Sequence, residues 1–528
     1  MGFWDKRLRL CKCLGDNAPQ SIRHLAHQTG FSKSSVHRLK QAMECRNRHP
    51  ESWFWETADG RAWLMRLVVA TLYTFSLKRG VGLDTMSEFC ARLHLETQGG
   101  CSPAALRGAM QALEGALLET AAAWEKDGYA GGEVREIIGA VDETFLERMM
   151  LVFMDLSTGS LVLEVVADDR TYATWKTLVD ERLKSLGTGV LSLVSDRAKA
   201  LIQLADQGLA CLSMPDFFHV THEIIKSYSL AIGRHLRQAH QDLTQATEAL
   251  VRRQGRPHAD DDAPEARAVV ARHAAVQRWA AVQPTYRQHL ETLSLTLHPF
   301  RLADSTPQTS AQVARRLEAE VEAIEALARH QQLPAWHHAM TKVRKQVPAL
   351  AALVDFWWQG VWQDVEPFVL SPRWRQWVQE SLLPLVYWEQ QVARTRCARR
   401  TAKRVQAREA VRTAFDTHVI TRGLDPQVLE AWCAWARLRV QACARASSAV
   451  EGRNGYLSQM HHNHRGLPKQ RSKVWTILHN FAGRAADGTT PASRFFRRSF
   501  PDLFATVLSQ IETLPQPRRR KHQGALSH

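Results

Sequence analysis

One change of periodicity constrains this chain more than any other feature. Apolar residues recur at helical spacing along most of it, but between Glu136 and Lys199 they gather into short β-branched runs. Ile137 to Val141, Met149 to Met154 and Leu161 to Val166 read as a three-strand meander, with Ser157-Thr158-Gly159-Ser160 as the second turn. Tyr172 to Ser185 reads as a helix with Trp175, Leu178, Val179 and Leu183 on its apolar side, closed by Gly187 and Gly189. Val190 to Val194 is then the fourth strand and, beyond a helix reaching about Gln207, Ala210 to Met214 is the fifth.

Acids stand at the ends of two of these strands, Asp142 and Asp196. Like charges brought close raise each other's pKa unless a cation lies between them. Hard oxygen ligands suit magnesium, and two such ions can stabilise both the attacking and the leaving oxygen of a phosphodiester displacement. For any single Asp the plain alternative is a solvated charge at a sheet edge. Far downstream, Ser447-Ser448-Ala449-Val450-Glu451-Gly452-Arg453-Asn454 puts Glu451 and Asn454 on one helical face, with Ser458 a turn further.

In that order the motifs resemble the RNase H-like catalytic core of DDE transposases from bacterial insertion sequences. In that family an Asp on the first strand, an Asp after the fourth and a Glu on a later helix complete a metal site. The resemblance covers Glu136 to His222 and about Ser447 to Leu467. It implies an α/β RNase H-like core, a mixed five-stranded sheet with helices, and two Mg2+ (or Mn2+) ions held by Asp142, Asp196 and Glu451. It further implies cleavage and strand transfer at element ends in double-stranded DNA, by a homo-oligomer assembled on that DNA, with Arg453 and Asn454 beside the DNA. Asp216 is the second choice for the second carboxylate. For His219 and His222 a packing role is favoured over one at the metal. The long separation of Asp196 from Glu451 departs from the simplest family pattern and requires an inserted domain, which some members carry.

The whole chain has 528 residues, a formal charge of +16 and a pI near 9.7, so a polyanionic partner is expected. The most apolar run, Ala62 to Leu77, contains Arg66 and is followed by Lys78-Arg79, and the start has no secretory h-region, so a cytoplasmic protein without a membrane span is expected. Nine scattered cysteines do not suit a disulfide framework. Reduced, mostly buried thiols are the better reading, since Cys11, Cys13, Cys45 and His49 match no common zinc spacing.

Pro19 to Lys40 reads as helix, turn, helix: Ala26 is small at the crossing, Gly30 permits the turn, Ser32 caps, and Val36 and Leu39 face inward. It resembles the helix-turn-helix of DNA-binding proteins, with Lys33, Ser34, Ser35, His37, Arg38 and Lys40 turned outward toward phosphates and base edges. A plain helical hairpin is the alternative. Beyond Ile224 the chain is almost wholly helical up to Ser447. Within it Phe356-Trp357-Trp358, Trp362, Trp374, Trp377 and Trp388 read as helix-packing core. A single helix from Gln390 to Thr413 repeats Arg396, Arg400, Arg404, Arg408 and Arg412 every fourth residue, a step of about 6 Å that suits a phosphate backbone. His461-His462-Asn463-His464 is superficially similar to an HNH nuclease motif but reads as a loop near the active site or DNA. Arg518-Arg519-Arg520-Lys521 belongs to a basic tail drawn to DNA.

The expected organisation is therefore a helix-turn-helix at 1–50, a second helical region at 51–130, catalytic core at 131–228, an all-α insertion at 229–446, the rest of the core with the Glu helix at 447–485, and a basic C-terminal region at 486–528. Two other classes stay open: a non-catalytic DNA-binding regulator derived from such an enzyme, and a nuclease that cuts without joining.

Overall fold

A computed structural model describes residues 3–15, 20–46, 54–55, 57–95, 98–129, 134–254, 264–395, 398–441, 443, 448–464, 469–485 and 487–515. At its centre is one mixed five-stranded sheet: β1 (Arg135–Leu146), β2 (Arg148–Asp155), β3 (Leu161–Ala167), β4 (Thr188–Ser195) and β5 (Leu212–Pro215). The strand order is β3-β2-β1-β4-β5. The meander pairs are antiparallel, whereas β1–β4 and β4–β5 are parallel. From Ile137 to Asp142 every residue of β1 is buried, as a central strand covered on both faces requires. Gly139 permits one close approach there, because a Cβ would come within 2.3 Å of the Phe153 ring.

Asp142 does not end its strand. The pairing of β1 with β2 continues to Leu146 opposite Arg148, and Glu147 makes the tight turn at φ 60°. The parallel pairing of β1 with β4, however, stops at Ala140 opposite Val194. Asp142 therefore lies where the sheet opens on its β4 side, and Asp196 follows directly on the end of β4.

The outer edge of β3 is closed by the C-terminal part of the chain. Asn480 accepts a hydrogen bond from the Leu161 N–H at 2.8 Å and donates to its carbonyl at 2.9 Å, so one amide side chain imitates a neighbouring strand. His479 bonds the Gly159 carbonyl, and the Arg494 guanidinium donates to that of Thr158. Phe495, Phe496, Leu503 and Val507 are buried. Up to residue 515, then, the expected basic C-terminal region is part of the core, while Arg518 to Lys521 lie outside the described residues.

The expected boundary at 228/229 falls inside an unbroken helix, Phe217–Gln254, which starts directly after β5. Pro264–Thr296, Ser310–His330 and His337–Val365 follow. Trp357, Trp358, Trp377 and Trp388 are buried, and Trp357 and Trp358 stack edge-on against Phe300. These rings are helix-packing core. The single helix expected from Gln390 to Thr413 is two, Leu383–Arg394 and Ala398–Thr417, broken where Thr395 turns extended. The first buries a run from Leu383 to Trp388 that the second folds back upon.

At the N-terminus, Phe3–Gly15, Ile22–Thr29 and Lys33–Arg46 enclose a small core of Leu10, Leu25 and Val36. Gly30 makes the turn at φ 68°, and Ser32 accepts the Ser35 N–H at 3.2 Å. Two of the described cysteines, Cys90 and Cys101, are buried, and the other five are half-buried, more open than expected. The Cys45 side chain and His49 lie outside the described residues. Among the described residues no helix is long and apolar enough to cross a membrane.

Candidate metal centre

Sheet register prepares the site. Asp142 pairs with Val152, and Val152 with Glu164, so Asp142 and Glu164 stand on one face two strands apart. The helix Ser448–His464 lies on that face. Asn454 donates from its amide to Asp142 Oδ2 at 2.8 Å, across 312 residues of sequence. Its neighbour Arg453 reaches the other acid, bonding Glu164 through Nε at 2.5 Å and Nη2 at 2.7 Å. The Arg453 and Glu164 side chains are 5% and 0% exposed, and Thr476 donates a third bond to Glu164.

This anchoring carries Glu451, one turn before Asn454, over Asp142. Among the described residues, ligand atoms of Asp142, His219 and Glu451 lie within 4.8 Å of one another. His219 is in the first turn of the Phe217–Gln254 helix, and its Nε2 is 3.3 Å from Glu451 Oε1 and 3.6 Å from Asp216 Oδ2. It faces the acids, contrary to the packing role favoured from sequence, whereas His222 is exposed and stacks on Phe218. Asp216 is buried and caps this helix, its Oδ1 accepting the Phe218 N–H at 2.9 Å. Asp196 stands outside the close trio, with Oδ1 accepting the Ala198 N–H at 2.8 Å.

Electrostatics mark the place as short of positive charge. Asp142 is 9% exposed, and its carboxyl is pushed up to about 7, first by burial, then by Glu451, with smaller contributions from Glu143 and Asp196. Glu143, on the opposite face with Trp175, is also raised, by burial and then by Asp196. Asn454 Oδ1 is buried and has no hydrogen-bond partner among the described residues. Crowded acids plus an orphaned oxygen fit a hard divalent cation. The site is open on one side, with the His219 and Glu451 side chains 32% and 29% exposed.

The residues expected at DNA divide. Lys33, Ser34, His37, Arg38 and Lys40 are exposed and Ser35 half-buried, although Arg38 folds back to bond the Ser34 carbonyl. Arg453 is a buried anchor and cannot touch DNA. Arg404 is likewise withdrawn, 6% exposed and bonded to Thr395 and the Gln391 carbonyl. Arg408 pairs with Glu409, Arg412 with Glu389 and Lys403 with Glu291, so the broken helix offers no continuous cationic row. Arg400 is exposed, and Arg396 lies outside the described residues. The motif at His461 to His464 is helical, not a loop, with His461 3.5 Å from Glu147 at the β1–β2 turn.

Sequence reasoning missed Glu164. Its one signal was a lone acid inside the apolar run LVLEVVA, where an inward charge demands a buried partner. No curated protein matches the chain. Residues 378–523 match the model of a family of unknown function, DUF6399, a segment that contains Glu451, Arg453, Asn454 and Asn480 but none of the five strands.

Proposed function

We propose that this chain is a DDE-type transposase, with an RNase H-like core that cuts DNA at the ends of an insertion element and transfers the freed strand to a target. The observation that carries this reading is the meeting of Asp142 and Glu451 within 4.8 Å at the open edge of the sheet. Strand order β3-β2-β1-β4-β5 with β2 antiparallel supports it, as does the helix-turn-helix with its exposed basic residues.

Asp142 and Glu451 would hold a divalent ion, with Asp196 beside them for a second. Bound there, Mg2+ or Mn2+ would stabilise oxyanion charge on a scissile phosphate and lower the pKa of an attacking water. Asn454 fixes the Asp142 carboxylate, and Arg453, bonded to Glu164, fixes the helix that presents Glu451. The Lys33–Arg46 helix would hold the duplex through phosphates and base edges, and the net charge of +16 favours its approach.

The test uses the full chain with a duplex carrying the element end and a supercoiled target. Asp142→Asn, Asp196→Asn and Glu451→Gln should each reduce cleavage at least about 10³-fold, consistent with removal of metal-based stabilisation, while duplex binding persists. Cleavage undiminished in Glu451→Gln sinks the assignment. Cleavage without joined product identifies a nuclease that cuts only.

A further inference from the structure

We propose that His219 is a direct metal ligand, which makes the centre a mixed carboxylate–imidazole site that prefers Mn2+ to Mg2+; this rests on reading the acid cluster as a divalent-metal site. A packing histidine is enclosed, with its nitrogens satisfied by close hydrogen bonds. His219 is otherwise placed. Its ring is about one third exposed, and Nε2 lies 3.3 Å from Glu451 Oε1 and 3.6 Å from Asp216 Oδ2, both longer than a good hydrogen bond.

The 3.3 Å separation from Glu451 suits two ligands of a shared ion better than direct pairing. Around an octahedral ion with bonds of about 2.1 Å, adjacent ligand atoms sit about 3 Å apart and opposite ones about 4 Å. The ligand atoms of Asp142, His219 and Glu451 lie within 4.8 Å, slightly wider than that span, so ion binding would draw the trio together. The position of His219 is set by backbone, not by a flexible loop. β5 ends at Pro215, Asp216 caps the helix through the Phe218 N–H, and His219 follows in its first turn.

An imidazole nitrogen is a softer donor than a carboxylate oxygen. Magnesium is served best by all-oxygen sets, and first-row transition ions accept imidazole readily. Glu451 and Asp142 supply the charge and His219 the selectivity, and Asp216 adds a further acid on the same side, its Oδ2 3.6 Å from that same Nε2.

The experiment is Mn2+ binding to chelator-treated full-length protein, followed by electron paramagnetic resonance with echo-envelope detection of nitrogen. Wild type should bind Mn2+ and show directly coupled ¹⁴N. His219→Gln should lose that coupling and weaken Mn2+ roughly tenfold or more, with a smaller loss for competing Mg2+. His222→Gln should change neither. The wild-type spectrum alone decides whether nitrogen is bound, and His219→Asn is the second variant should the first not fold. Bound Mn2+ without ¹⁴N coupling, or coupling that survives in a folded His219 variant, overturns the ligand while leaving a carboxylate metal site standing. Folded wild type that binds no Mn2+ overturns both.

Discussion

Asp142 is the residue on which the site's chemistry and its stability meet. Burial and then Glu451 push its carboxyl up to about 7 in the fold, against about 4 in an unfolded chain. Between those values the folded state keeps a proton that the unfolded chain has released. Stability of the metal-free protein should therefore fall as pH rises from about 4 to about 7 and level off above, by a few kcal/mol at most. Thermal melts in chelator across that range check it. Asp142→Asn should flatten the slope and melt higher than wild type near pH 8, and an unchanged slope would place the strain elsewhere. Asp196, read into the same group, stands outside it, while the meeting of Asp142 and Glu451 was legible in sequence, since each of these acids occupies a periodic element whose register can be read. His219 was not, because ring orientation depends on how the helix leaves β5. Arg453 was misread for a related reason: a cation in a helix reads as solvent-facing until Glu164, 289 residues away, is seen beside it.

The Glu451 helix shows how an element is held to a sheet. Its hold combines Asn454 on Asp142 with Arg453 on Glu164, two contacts to acids in one cross-strand row. Removing one partner of such a buried pair strands the other charge, at a cost of about 3–5 kcal/mol. Arg453→Met should destabilise by that amount in denaturant melts, whereas the double change with Glu164→Leu should recover much of it. Two effects that simply add would mean that the pair is not coupled. Strand and helix identities were largely legible from periodicity, and errors gathered at ends. Asp142 was read as the end of a strand from Ile137 to Val141, but the apolar partner β2 keeps β1 paired to Leu146. Arg396 to Arg412 looked like one continuous row, but the apolar side of Leu383–Arg394 draws Ala398–Thr417 back upon it.

Across the whole molecule, the proposed DNA interface and the fold make separable demands on basic residues. Changing Lys33, Arg38 and Lys40 together to Gln should weaken duplex binding and reduce its log–log salt slope by about 1 for each phosphate no longer neutralised. Fluorescence anisotropy at low and at physiological salt reads this, and an unchanged slope removes that helix from the interface. Arg404→Gln, by contrast, should lower the melting temperature and leave the slope alone, because that side chain is buried. The closure of β3 by Asn480 has a consequence in biosynthesis. Leu161 and Asn480 are 319 residues apart, so at about 5–20 residues per second the ribosome delivers the amide roughly 15–60 s after the strand it covers. Throughout that interval the nascent meander presents an unpaired apolar edge, the surface on which chains aggregate. A chaperone holding the growing chain would have to shield this edge until then, and a product halted before Asn480 would keep that edge open for good.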